Sequence, residues 1–221
     1  MTQQPEPTAR ERVLSAAAGV FARSGYDGAR VEEIAGRAGM NKAMIYYHVG
    51  DKSEIYATVM AERADRLFAA LQEAIAGARA PEEKLRAAIE TVARTATTNP
   101  HFAPIMLREI ASGGAGLPPQ VLQKAAAVFG VFRRILDEGR RDGVFRRIDP
   151  VSTHMMIAGV VMLLAAGAPI RARLRELDGV PPALPPEGGP RELAAHVFDL
   201  VIHGLLRESD ADFALAPKRN S

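Results

Sequence analysis

Cysteine is absent from the 221-residue chain, so neither a disulfide framework nor a thiolate zinc site can form. No apolar run reaches the roughly 20 residues that a membrane-crossing helix needs. The longest, from Met155 to Ile170, carries Pro169 near its end and reads as a buried helix. Nothing near Met1 has the charged-then-apolar pattern of a secretory signal, so no membrane and a cytoplasmic location are expected. Also missing are a nucleophile elbow, a phosphate-cradling glycine loop and an acidic cluster with a base partner, which argues against an enzyme and against a cofactor. A charge excess is lacking as well: the net charge is +2. Through Glu54, seven basic residues (Arg10, Arg12, Arg23, Arg30, Arg37, Lys42, Lys52) meet seven acids (Glu6, Glu11, Asp27, Glu32, Glu33, Asp51, Glu54). A bulk basic field therefore cannot carry binding to a polyanion. Cations would have to be placed locally, with the acids on helix amino termini or on the far side.

What is present is a 48% hydrophobic composition, enough for a real core, and one organising stretch, VEEIAGRAGMNKAMIYYHVGDKSEIY, from Val31 to Tyr56. Val31, Ile34, Ala35 and Ala38 fall on one helical face. Gly39 can end that helix at positive φ, Met40 can plug the corner, and Asn41 can cap a second helix from Lys42 to about Val49. This is a helix-turn-helix pattern. If Ile45 and Val49 bury the second helix, Ala43 and Tyr47 lie about 200° away and face outward. Lys42, Met44, Tyr46 and His48 flank them. Adjacent exposed tyrosines suit phosphate hydrogen bonds and thymine methyls better than they suit water.

Before this stretch, ARERVLSAAAGVFARSG reads as a helix with Val13, Ala17, Val20 and Phe21 inward and Gly25 as its stop; Tyr26–Gly28 forms a turn, and residues 1–7 a frayed tail. Together these features resemble the amino-terminal DNA-binding domain of tetracycline-repressor (TetR) family regulators over about residues 9–56. IYYHVGDKSEIY is the most specific part. The resemblance implies that Lys42, Ala43 and Met44 approach base edges and that Tyr46, Tyr47, His48 and Lys52 grip phosphates. It also places Val31 where the first helix of the pair meets the DNA backbone. Arg30 stands where the family usually has Ser or Thr. The side-chain cap is then lost, and Arg30 either reaches a phosphate or faces solvent. Val49 replaces a commoner phenylalanine.

Asp51 and Glu54 form a near capping box for a long helix to about Ala76, whose stripe of Ile55, Val59, Leu67, Leu71 and Ile75 links head to body as a lever. Further helices are expected from Glu82 to Thr98, from an Asn99 cap with Pro100 in its first turn (shortened or bent by Pro104), and from Pro118 to about Arg141. An all-round apolar helix follows an Asp149–Pro150 start and runs from Val151 to about Glu176. Asp178–Pro190 reads as a surface loop, Arg191–Arg207 as a last helix with Leu193, Val197, Leu200, Val201 and Leu205 on one face, and the residues after Ser209 as a tail. Glu192, His196, Asp199 and His203 make a polar stripe. It suits i,i+4 pairs on a solvated face or dimer rim better than a metal site, and no metal is expected.

The expectation is an all-α protein with a three-helix DNA-binding head, residues 1–55, and a larger effector-binding and dimerisation body, residues 56–221. It would act as a transcription regulator, a repressor, and bind a palindromic operator on double-stranded DNA as a homodimer with heads about 34–36 Å apart. An apolar or amphipathic small molecule would release it. Candidate effector contacts are Phe102, Met106, Arg108, Phe129, Phe132, His154, Met155 and Ala158. Arg108 with Glu109 reads as a structural ion pair more readily than as a ligand clamp. The alternative function is a helical protein-interaction or scaffolding module without sequence-specific DNA binding.

Overall fold

The computed structural model describes residues 6–114, 116–177 and 189–206. Among them lie ten helices and no strand: α1 (Ala9–Gly28), α2 (Val31–Ala38), α3 (Lys42–His48), α4 (Lys52–Ala76), α5 (Pro81–Thr98), α6 (Phe102–Ala111), α7 (Pro119–Arg141), α8 (Pro150–Ala166), α9 (Ala168–Arg175) and α10 (Pro190–Leu205). The all-α expectation holds. Most of the expected terminal tails and the loop from Asp178 lie outside the described residues.

Two apolar cores are strung on α4. The first gathers Val13, Ala17, Val20 and Phe21 of α1, Ile34 and Ala35 of α2, Ile45 of α3, and Ile55, Tyr56, Val59 and Met60 of α4. Ile105 of α6 and Val121 of α7 also enter it. The second begins at Leu67 and Leu71 of α4 and takes in α5, α7, α8 and α10 through residues such as Ile89, Phe132, Ile157 and Val201. Short α2 and α3 could not hold themselves in water, since helices below about 12–15 residues are marginal alone. Their stability comes from this shared burial.

Local chemistry sets the boundaries. Gly25 (φ 69°, ψ −178°) interrupts the helical run of α1, as expected of a stop, and Tyr26–Gly28 resumes beyond it as a short helical turn. Asp51 accepts from the Glu54 amide at 2.9 Å while Glu54 accepts from the Asp51 amide at 2.8 Å, the full capping box of α4. Asn99 and Pro100 connect α5 to α6 and do not open α6. That helix starts at Phe102, which leaves Pro104 in its first turn, where a missing N–H costs no helical bond and no bend results. The expected continuous Val151–Glu176 helix is instead two helices bent by 51°. Pro169 cannot donate back to the preceding turn, α8 ends at Gly167, and Arg171 donates to the Leu164 carbonyl at 2.6 Å. No single described helix is long and apolar enough to cross a membrane.

Candidate nucleic-acid interface and cavities

The reading face is built from the α2–α3 corner. Gly39 adopts φ 67°, ψ 36°, a left-handed conformation that glycine takes without Cβ strain. The Met40 amide then reaches the Ala35 carbonyl at 3.0 Å, and the Asn41 side chain accepts from the Met44 amide at 2.9 Å. Ile45 is fully buried, and Val49 packs partly beneath it. With this side fixed inward, Lys42, Ala43, Met44, Tyr46 and Tyr47 are exposed, and Tyr47 reaches 85%. His48 is half-buried and meets the Tyr47 ring edge-on at 5.1 Å.

The charges around this face are paired. Lys42 Nζ lies 2.5 Å from Glu32 Oε1 in the first turn of α2. That hydrogen bond raises the lysine pKa and lowers the glutamate's. The acids do sit on a helix amino terminus, but Glu32 adjoins the exposed face and competes with a polyanion for the Lys42 ammonium. Glu33 likewise holds Arg23 and Arg37. Arg30 is exposed at the N-cap of α2 and makes no side-chain cap, as its replacement of Ser or Thr implies. The Val31 side chain is buried in the head core, as its place on one face with Ile34, Ala35 and Ala38 implies, and its backbone amide lies at the positive end of α2. Lys52 is half-buried and donates to the Asp27 carbonyl at 3.1 Å, with its ammonium 4.7 Å from the Tyr26 ring centroid. A lysine has three donors, so this tie to the end of α1 leaves two available.

A second group of contacts, not visible in sequence, joins head to body. Arg108 of α6 donates to the carbonyls of Ala22 at 3.0 Å and Arg23 at 2.6 Å, in the last turn before the Gly25 kink. Its expected ion pair with Glu109 and its expected role in holding an effector are both displaced by this cap, because a helix interrupted at Gly25 leaves carbonyls that a guanidinium can satisfy. Glu109 turns the other way and accepts a short hydrogen bond from buried Tyr56. Burial first, then Glu109, pushes the Tyr56 phenol well above its usual range. Tyr56 also packs edge-on against Phe21 at 4.7 Å. The Arg108 cap and the Tyr56–Glu109 bond each join residues more than fifty positions apart, and nothing local in the sequence announces them.

The remaining effector candidates do not converge on one cavity. Phe132 is fully buried, and its ring and that of Phe129 flank His154 at 4.8 and 5.5 Å. Met106 and Ala158 are half-buried, and Met155 is 54% exposed on the outer side of α8. The body does hold a cavity of about 480 Å³, lined in part by Ala96, Pro100, Ala103, Leu164, Pro169 and Leu193. Thr97, Arg171, Arg175 and His196 supply its polar groups. None of the eight candidates lines it. The break at Gly167, which opens this space between α5, α8, α9 and α10, is the feature the sequence reading missed. Of the eight, Phe102 alone borders a second space, of about 740 Å³, between α1, α4 and the α5–α6 corner. On α10, His203 Nδ1 lies 3.5 Å from Asp199 Oδ1, the expected i,i+4 pair. Leu200 is exposed, not buried with its helix mates.

Residues 13–59 match the family described as bacterial regulatory proteins, tetR family, and residues 81–178 match the tetracyclin repressor-like C-terminal domain. The HTH-type transcriptional repressor NicS of Pseudomonas putida is 31% identical over 166 residues, 72% of this chain and 76% of that protein. The TetR family transcriptional regulator PfmR of Thermus thermophilus superposes with a TM-score of 0.70 at 28% identity, covering 91% of this chain and all (100%) of that one. The regulator FadR of Bacillus subtilis, solved in complex with stearoyl-CoA, shares the fold with a TM-score of 0.68 at 20% identity over 87% and 97% of the two chains. With a buried helix-turn-helix scaffold, an outward tyrosine-bearing helix and matches along both parts of its length, the chain belongs to the TetR family and is a DNA-binding transcriptional regulator.

Proposed function

We propose that this regulator is a ligand-responsive repressor that binds a palindromic operator as a homodimer and is released by an apolar or amphipathic small molecule. The exposed phenol of Tyr47, on a helix whose opposite side is anchored by Ile45, carries the reading. Lys42, Ala43 and Met44 approach base edges, and Arg30, Tyr46, Tyr47, His48, Lys52 and the Val31 amide hold phosphates. The head comprises residues 1–55 and the effector-binding, dimerising body 56–221, with the start of α4 packed into the head core.

One recognition helix reads too little sequence for useful specificity, so two heads about 34–36 Å apart act together. The effector occupies the body cavity at the α8–α9 break, whose mainly apolar lining and Arg171 and His196 suit an amphipathic molecule. That stearoyl-CoA occupies the FadR structure supports such a ligand class. Filling the cavity favours spread heads and weakens operator affinity, and operator must weaken effector binding by the same factor. Selection of genomic fragments on the purified protein, followed by titration of the recovered operator with and without candidate effectors, tests this. A recovered palindrome and reciprocal weakening are expected; an inducer that binds equally well with and without operator overturns the mechanism.

A further inference from the structure

The space between α1, α4 and the α5–α6 corner is separate from the body cavity, on the other side of Pro100. Leu14 and Ala18 of α1, Val59 of α4 and Phe102 give it apolar walls, and Arg63, Asn99 and His101 give it a polar end. Arg63 is its unusual member. The Nη1 nitrogen is buried and has no hydrogen-bond partner. The acids nearby are already engaged: Glu11 accepts from the Thr8 amide at 2.8 Å and hydroxyl at 2.9 Å, and Glu62 holds Arg10 at 2.6 Å and Arg66 at 3.3 Å. Both carboxylates line the same cleft, but their bonds go to Thr8, Arg10 and Arg66 and not to Arg63. His101 is held below the usual histidine value, by burial first and then by Arg63.

An arginine cannot relieve this position by losing its proton, and a buried donor left unmade is costly. An oxyanion, either a planar carboxylate or a tetrahedral phosphoryl group, would satisfy the guanidinium with charge-assisted bonds. We propose that this cleft binds a small amphipathic oxyanion, with its acidic group on Arg63 and its apolar part against Leu14, Val59 and Phe102. The walls belong to both parts of the molecule. The His101 ring also lies so close to Gly19 of α1 that a Cβ there would stand 3.4 Å from Nε2. A bound oxyanion thus fixes the head relative to the body, adding a ligand site at the hinge to the one in the body cavity.

Calorimetric titration of the full chain with octanoate, octyl phosphate and octanol tests the site. At least one anion should bind, and the tighter of the two identifies the acidic group as carboxylate or phosphoryl. Octanol should bind about tenfold or more weakly than that anion, the worth of one charge-assisted hydrogen bond. R63Q should lose a comparable factor, R63K should fall between, and R134Q, exposed on α7 and bordering neither space, should stay within about twofold of the parent. R63K keeps the charge and so remains informative if R63Q melts with lost helicity. The proposal is overturned if neither anion binds, if octanol binds as well as the anions, if both Arg63 variants bind as the parent does, or if R171Q alone abolishes binding and so assigns the anion to the body cavity. Operator binding by the same proteins reports on the repressor reading separately, because anion titration requires no DNA.

Discussion

Tyr47 and Ile45 are two residues apart and have opposite fates. Tyr47 is the most exposed large side chain of α3 and Ile45 is fully enclosed, so truncation separates recognition from folding at this one helix. Tyr47→Ala should weaken operator binding by roughly ten- to a hundredfold, because a dimer loses the ring's phosphate contacts twice, with helicity and melting temperature unchanged. Titration of labelled operator beside circular dichroism reads both, and a large fall in melting temperature would place Tyr47 in the core. His154 supports a different experiment. It lies between Phe129 and Phe132 with Nδ1 unpartnered, and burial holds its imidazole below the ordinary histidine value. The unfolded chain therefore takes up this proton at higher pH than the folded chain. The stability of the neutral site is fully present above the unfolded value, 6.5, and is lost as pH falls from there toward the lower folded value. Melting temperature should drop between about pH 7.5 and about pH 5.5, and His154→Phe should flatten that drop. His101, shifted in the same direction, keeps the rest of the slope. An unchanged slope in His154→Phe would show that the ring is already protonated or solvated in the folded protein.

Among the elements, α6 touches both cores, as α4 and α7 do, and it alone of the three caps α1. Ile105 sits in the head core, Phe102 and Ala103 in the body core, and Arg108 caps α1 at its kink. Arg108→Ala removes that cap while leaving α3 and the body cavity intact. Operator affinity without effector should stay within about threefold of the parent, whereas the factor by which an effector weakens it should shrink severalfold. Unaltered coupling would mean that motion reaches the head through α4 or α7 without the Arg108 cap. The legibility of the chain divides along the same lines. Wherever a boundary depends on near neighbours, as in the Gly39 corner, the Asn41 cap, the Asp51–Glu54 box and the Asp149–Pro150 start, the residues themselves announce it. The outward set on α3 followed from periodicity once Ile45 was placed inward. Arg108 and the Tyr56–Glu109 pair were hidden because their partners lie far away in sequence. The body cavity was hidden because it depends on a helix break, and an apolar composition alone masks a break.

At the scale of the whole molecule, a single chain leaves too much apolar surface on one helix. Val151, Met155, Met156 and Leu163 of α8 are each about half exposed or more, and Leu200 of α10 is exposed as well. A helix that is apolar all round has to be covered on every side, and among the described residues the side of α8 that is covered is the one holding Thr153, Ile157, Val161 and Met162. A second copy packed on α8 and α10 would cover the rest in an isologous four-helix arrangement, which also sets the spacing of the two heads. Leu163, 63% exposed, is the most exposed of the α8 residues. Leu163→Asp should place an unpaired carboxylate at the centre of that contact, where desolvation is costly, and weaken the dimer by about a hundredfold or more. Sedimentation should find a folded monomer at micromolar concentration with undiminished helicity. Operator binding should fall with it and become steeply dependent on protein concentration, because each head alone reads only half a site. A Leu163→Asp protein that sediments as a dimer and binds operator normally would move the subunit interface off this face and leave the apolar surface of α8 to some other contact.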